Sequence, residues 1–302
     1  MRTIAINGAN GFIGKCLCQF YLDRGDRVIA ITRGKEKDDL RQKKDNLKIV
    51  FAKYEEYKNM DQLIGEEIDS FYYLAWSGYG TATNDYNVQT SNIPFICDTI
   101  KAISKMKCKK MIFIGTCQQF QYEEIGNGVR QKSSVYGAAK TYGEALGKIE
   151  AAKYKMEFCT AIFSNVFGVG DRSARSTNKI IRSFLNNKCP LLIDGETLFD
   201  WTYIDDALEG LALINEKGKN GQCYYIGGEK ARKFSDIISD VRDVVNHELV
   251  LSYGTLIDKK YIDYSEIDKK NAKKDLGFMA KSDFKESIKK TMEWVIREAL
   301  GE

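Results

Sequence analysis

Tyr136-Gly137-Ala138-Ala139-Lys140 places a phenol and an ammonium four residues apart. On a helix that spacing stacks both groups on one face, one turn apart. A free tyrosine titrates near ~10, too high for efficient proton exchange at neutral pH. A nearby lysine ammonium favours the phenolate, a tenfold change in proton affinity being worth about 1.4 kcal/mol. Such a pair can pass a proton to or from an oxygen whose carbon is being oxidised or reduced. Alone, the pattern is common on surface helices. It gains weight because it follows an apolar run ending Ile114-Gly115-Thr116-Cys117, and strand ends of an open α/β sheet present ligand-contacting groups. Thr116 is expected to hydrogen-bond the reacting oxygen beside Tyr136, so Thr116, Tyr136 and Lys140 form the candidate catalytic set.

A second constellation opens the chain. The apolar run 3–6 leads at once into Asn7-Gly8-Ala9-Asn10-Gly11-Phe12-Ile13-Gly14 and then into a helical pattern. Glycines let a backbone turn tightly against a pyrophosphate, and the following helix N-terminus offers unpaired N–H groups to it. Gly8, Asn10, Gly11, Phe12, Ile13 and Gly14 are therefore assigned to a dinucleotide. The next strand ends in Thr32 and Arg33. An acidic side chain here would bind the ribose 2′-hydroxyl of NAD, whereas a guanidinium can grip a 2′-phosphate. NADP(H) is favoured over NAD(H), with the alternative that Arg33 stacks on adenine or faces water.

The elements that must hold these groups are legible up to about residue 165. Short β-branched and aromatic runs at 3–6, 28–31, 47–51, 71–74, 111–114 and 158–163 alternate with amphipathic stretches such as 12–22 and 93–103. That alternation predicts an α/β fold, a doubly wound parallel sheet with helices on both faces. Beyond it the pattern is irregular, with helices expected at 178–185 and 205–215 and a docked C-terminal helix carrying Phe284, Ile288, Met292, Val295 and Ala299. One body with a smaller C-terminal cap is the natural arrangement.

Composition excludes other classes. A net charge of +4 over 302 residues, without a long one-sided block, argues against nucleic acid. The basic stretch 105–110 reads as a solvated helix end. A single histidine, His247, and eight scattered cysteines leave no zinc pattern, so no metal is expected. The chain runs straight into a strand and has no apolar run near ~18 residues, so neither signal peptide nor membrane span is expected. Reduced thiols in a cytoplasmic protein are the simplest account.

Taken together, the glycine turn, the Tyr/Lys pair and several later segments resemble the extended branch of the short-chain dehydrogenase/reductase family, the NAD-dependent epimerase/dehydratase family. Tyr73-Leu74-Ala75-Trp76 is similar to that family's strand beside the nicotinamide ribose. Asn92 matches a helix asparagine that helps position the lysine, and Ser164-Asn165-Val166-Phe167-Gly168 matches the link between nicotinamide and substrate. Asp200–Asp206 and Lys274–Phe278 match later signatures. The resemblance implies a dinucleotide-binding Rossmann-type domain over 1–165, rejoined at about 196–216, and a substrate-binding cap from 166–195 and 217–302. It implies a nucleotide-sugar substrate, with Ser77, Cys117, Asn165, Lys179 and Arg182 as candidate contacts. Arg172 and Arg175 are further cations for a pyrophosphate, and Trp76 and Tyr79 candidate walls of the sugar site. It also implies a homodimer through the helices at 92–105 and 136–153.

Two departures bear on the reaction. Phe199 stands where many relatives carry an arginine before the aspartate, so another cation is needed or the substrate differs. Cys117-Gln118 replaces the acid pair of sugar dehydratases, and neither residue carries protons well; without a base beside it, Cys117 reads as a space-filling thiol. Reduction of a 4-keto-6-deoxyhexose, as in 4-ketoreductases of deoxysugar nucleotides, is favoured by the Arg33 argument. A 4-epimerase, an oxidoreductase acting on a non-nucleotide carbonyl compound and a non-catalytic dinucleotide-binding regulator stay open.

Overall fold

Ile4 and Ile6 of strand β1 (Thr3–Asn7) join one apolar cluster and Ala5 the other, the two-residue period of a strand buried on both faces. The computed structural model describes residues 1–34, 45–173 and 175–301. Helix α1 (Phe12–Asp23) follows β1, then β2 (Arg27–Thr32), β3 (Leu47–Phe51), α2 (Met60–Ile64) and β4 (Ser70–Tyr73). Helices α3 (Tyr86–Thr90) and α4 (Ile93–Ser104) lead to β5 (Lys110–Thr116), β6 (Gln121–Glu124), β7 (Arg130–Lys132), α5 (Val135–Lys153) and β8 (Glu157–Phe163). The remainder comprises β9 (Asn165–Phe167), α6 (Ser176–Leu185), β10 (Leu198–Phe199), β11 (Trp201–Tyr203), α7 (Ile204–Lys217), β12 (Cys223–Ile226), β13 (Arg232–Lys233), α8 (Phe234–Val245), β14 (Lys260–Ile262) and α9 (Phe284–Leu300).

Seven strands form one parallel sheet in the order β12-β8-β5-β4-β1-β2-β3. Leu17 of α1 and Leu211 of α7 pack on one face; Ile96 of α4 and Ala151 of α5 pack on the other. This is the Rossmann-type doubly wound arrangement. Its strand order reverses between β1 and β4, and the crevice at that switch point is where open α/β sheets take ligands. The glycine turn lies there, after β1.

Each of the six expected strands forms, and the structure adds others. β12 lies within the stretch assigned to the cap, yet it pairs with β8 and closes the edge of the main sheet. A short turn, Cys117–Phe120, leads from Thr116 into a three-stranded sheet β14-β6-β7. The basic stretch 105–110 divides in two. Lys105 pairs with Asp61 at the solvated end of α4, whereas Lys110 is buried and its Nζ donates to the carbonyls of Asn215 (3.2 Å) and Gly218 (2.8 Å). Among the described residues no helix is long and apolar enough to cross a membrane.

Candidate active site

Backbone contacts that tolerate no side chain build the glycine turn. Gly8 has φ +66, and a Cβ there would sit 3.0 Å from the Ala75 nitrogen. At Gly14 a Cβ would stand 2.2 Å from the Gly8 carbonyl oxygen, because α1 packs onto its own entry turn. Asn7 Oδ1 accepts from the N–H groups of Leu74 (2.6 Å) and Ala75 (2.8 Å), tying the ends of β1 and β4 together. Helix α1 starts at Gly11 without a side-chain cap and with no acidic residue in its first turn. Its leading N–H groups are thus left for an anion from outside. A phosphate-bearing dinucleotide fits this cradle in both shape and charge.

The facing wall carries the proton chemistry. Thr116, Tyr136 and Lys140 line the same cavity of about 190 Å³ as Gly8, Gly11 and Gly14. β5 delivers Thr116, whose hydroxyl accepts from the Gln118 N–H (3.2 Å) and so keeps its own proton to donate. α5 delivers Tyr136 and Lys140 from adjacent turns, and Ser134 caps that helix by accepting from the Gly137 N–H. The Tyr136 ring is wedged between Trp76 (6.0 Å between centroids) and Tyr79 (5.0 Å).

Burial dominates the titration of both groups. It raises the Tyr136 phenol well above its ordinary range, with the nearby Arg175 only partly opposing. It brings the Lys140 ammonium down to about 7. Lys140 Nζ donates to the Ile114 carbonyl (2.7 Å) and lies 4.0 Å from the Trp76 ring centroid. Burial thus favours the protonated phenol beside a readily titrated amine. That suits Tyr136 to acid work.

Phe12, Ile13, Leu74, Trp76 and Val166 also line the cavity, as the sequence suggested. Other candidates do not. Asn10 belongs to the turn and Ala75 is held by Asn7, but neither reaches the cavity wall. Thr32 bonds the Gly34 carbonyl, and the Arg33 guanidinium rests 5.1 Å from the Tyr54 ring centroid. Asn92 does not touch Lys140; it clasps the backbone of Ser77, accepting from its N–H (2.7 Å) and donating to its carbonyl (3.2 Å). Ser77 is not among the residues that line the cavity.

Among the substrate candidates, Cys117, Asn165, Lys179 and Arg182 lie off the cavity wall. Cys117 is buried among Ile162, Tyr225 and Tyr264, which pushes its thiol up to about 12 and makes it a filler. Asn165 lies in β9, paired with Trp201 of β11. Lys179 is exposed on α6. Arg182 and Arg172 both turn to Glu298 of the C-terminal helix. Arg175 does line the cavity, with its guanidinium 5.2 Å from the Tyr79 ring centroid. Opposite Phe199 stands Arg232, engaged with Asp240. Sequence reasoning missed Ile114, Gly115 and Phe163 as cavity residues; the rule that strand ends face the ligand, applied to β5 and β8 together, would have found them.

A family profile described as the NAD dependent epimerase/dehydratase family matches residues 4–227. The dTDP-glucose 4,6-dehydratase of Escherichia coli is 27% identical over 177 residues, 54% of this chain and 48% of the relative. The match thus spans about half the length of that relative. Among solved structures, UDP-glucose 4-epimerase of Thermotoga maritima with UDP-glucose superposes with TM-score 0.81 at 20% identity, covering 99% of each chain. UDP-glucuronic acid 4-epimerase of Bacillus cereus, in complex with UDP-glucuronic acid and NAD, gives 0.81 at 22% identity over 98% of this chain and 99% of that one.

Proposed function

Because the chain belongs to the NAD dependent epimerase/dehydratase family, we propose that it is a nicotinamide-dependent oxidoreductase acting on a nucleotide-activated sugar, and that it reduces a 4-keto-6-deoxyhexose with NADPH. The observation that carries this reading is the shared cavity in which Thr116, Tyr136 and Lys140 face the glycine turn. When bound, the dinucleotide supplies the hydride. Gly8, Gly11 and Gly14 admit its pyrophosphate, and the first N–H groups of α1 hold the charge. Thr116 donates to the substrate carbonyl oxygen and polarises it. Tyr136, held protonated by burial, gives its proton to that oxygen as negative charge develops. Lys140, titrating at about 7, restores the phenol's proton.

Dehydration is disfavoured by the turn after Thr116. Cys117 points into an apolar cluster, and the Gln118 side chain accepts from the Ser134 hydroxyl, so neither offers an acid to a leaving hydroxyl. The cap, formed by 166–195 and by the part of 217–302 that follows β12, holds the nucleotide diphosphate in this reading, with Arg175 as its cation on the cavity wall. The partner is a second copy of the chain, joined through α4 and α5.

A second reading, 4-epimerisation with NAD⁺ regenerated in each turnover, is favoured by Arg33, whose guanidinium rests on the Tyr54 ring. Fluorescence titration with NADPH and NADH, then turnover of a panel of nucleotide 4-keto-6-deoxysugars, separates the possibilities. Stoichiometric NADPH consumption supports reduction. Inversion at C4 without net cofactor consumption selects the epimerase. Cofactor binding with no turnover of any sugar leaves a non-catalytic regulator.

A further inference from the structure

Helix α5 places four of its polar residues at intervals of four, on one face: Tyr136, Lys140, Glu144 and Lys148. The first two line the cavity; Glu144 lies one turn deeper, 8% exposed, and does not. Its Oε1 accepts from Lys148 Nζ (2.6 Å) and from the Cys223 thiol (2.9 Å), and its Oε2 accepts from Gln119 Nε2 (3.0 Å). Gln119, 7% exposed, uses the other end of its carboxamide to accept from the Thr116 N–H (2.9 Å). One planar amide thus spans from the last residue of β5 to the helix that bears Tyr136.

The local sequence is shaped around this amide. A Cβ at Gly115 would stand 2.6 Å from Gln119 Oε1, so a side chain there would expel it. Burial works against a charged Glu144, but the bonds from Cys223, Lys148 and Gln119 outweigh it and hold the carboxyl below its usual range. A carboxylate fixed in charge and place is a firm anchor for an amide donor.

We propose that the Gln119–Glu144 pair is a positioning device for catalysis: it sets the distance between the Thr116 hydroxyl and the Tyr136 phenol without touching substrate. This deepens the oxidoreductase reading and rests on it. Both hydroxyls must reach one substrate oxygen, and displacement of a catalytic group by about 1 Å costs about 100-fold in rate.

The test uses the whole protein with Gln119→Glu, alone and combined with Glu144→Gln. In the single variant two carboxylates meet, and the bridge forms only when they share a proton. Its kcat is expected to fall about tenfold or more at pH 8, with dinucleotide Kd unchanged, and to recover as pH falls. In the double variant the exchanged pair re-forms the bridge: the new carboxylate accepts from the Thr116 N–H and from the new amide, whose oxygen still faces Lys148 and Cys223. Its kcat returns to within about threefold of wild type, as coupled neighbours allow. A single variant that matches wild type across the pH range overturns the proposal, as does a folded double variant no faster than the single one. Should wild type transfer no hydride to any sugar nucleotide, the oxidoreductase reading falls instead, and crystal structures of Gln119→Glu at high pH decide the bridge. Thr116 displaced from Tyr136 supports it; an unmoved Thr116 refutes it.

Discussion

Gly137 lies against Gln118 so closely that a Cβ built on it would stand 2.0 Å from the Gln118 carbonyl oxygen. Backbone therefore meets backbone where α5 begins and the turn after Thr116 passes. This contact brings the Tyr136 helix and the Thr116 strand to one cavity. Gly137→Ala must drive the two apart, since a carbonyl cannot yield as a flexible side-chain tip does. We expect a loss of about 100-fold or more in kcat and about 1–3 kcal/mol in stability, read by turnover and denaturant unfolding. Wild-type kcat in the alanine variant would contradict the claim.

Tyr136→Phe keeps the ring between Trp76 and Tyr79 and removes only the hydroxyl. The expected loss is about 10²–10⁴ in kcat, the usual worth of a positioned acid. Dinucleotide affinity, measured by fluorescence titration, stays within about twofold of wild type.

Lys140 makes a prediction about stability. Its folded-state value, about 7, lies below the unfolded value of 10.5, so between those limits the unfolded chain binds more protons and stability rises with pH. Below about 7 the folded protein must bear a buried charge. Lys140→Met removes that penalty. The variant should gain on wild type by roughly 1–3 kcal/mol at pH 6, and the advantage should fade as pH climbs toward 10. Parallel stability curves for the two proteins would refute this assignment.

The cationic residues separate by location. Arg175→Ala should raise KM for a diphosphate sugar about tenfold, the worth of one charge-assisted contact. Arg182→Ala, which breaks only an exposed pair with Glu298, should leave KM unchanged and cost less than about 1 kcal/mol of stability. Steady-state kinetics on both variants distinguishes the cavity cation from the surface one.

The sheet and its ligand edge were legible because burial on both faces leaves uninterrupted apolar runs, as in 111–114 within β5. The glycine turn and the Tyr/Lys pair were legible because their spacing is itself the chemistry. β12 was not, since Cys223–Ile226 is four residues at a sheet edge and pairs with β8 far back in the chain. The hairpin β6–β7 was signalled by Asn127-Gly128, both at positive φ, the pair that two-residue hairpin turns select; its polar strands hid the signal. The surroundings of Asn92, Cys117 and Arg182 were hidden for another reason. Each sits near the site in sequence, but its direction is set by a partner (Ser77, Tyr225 or Glu298) that spacing does not reveal.

A crystal structure with NADP⁺ and the reduced sugar nucleotide measures the central claim most directly. The account predicts one sugar oxygen within hydrogen-bond distance, about 2.6–3.2 Å, of both the Thr116 and Tyr136 hydroxyls, with the pyrophosphate on the first turn of α1. A pyridine ring bound elsewhere, with Tyr136 beyond reach of the sugar, would contradict it.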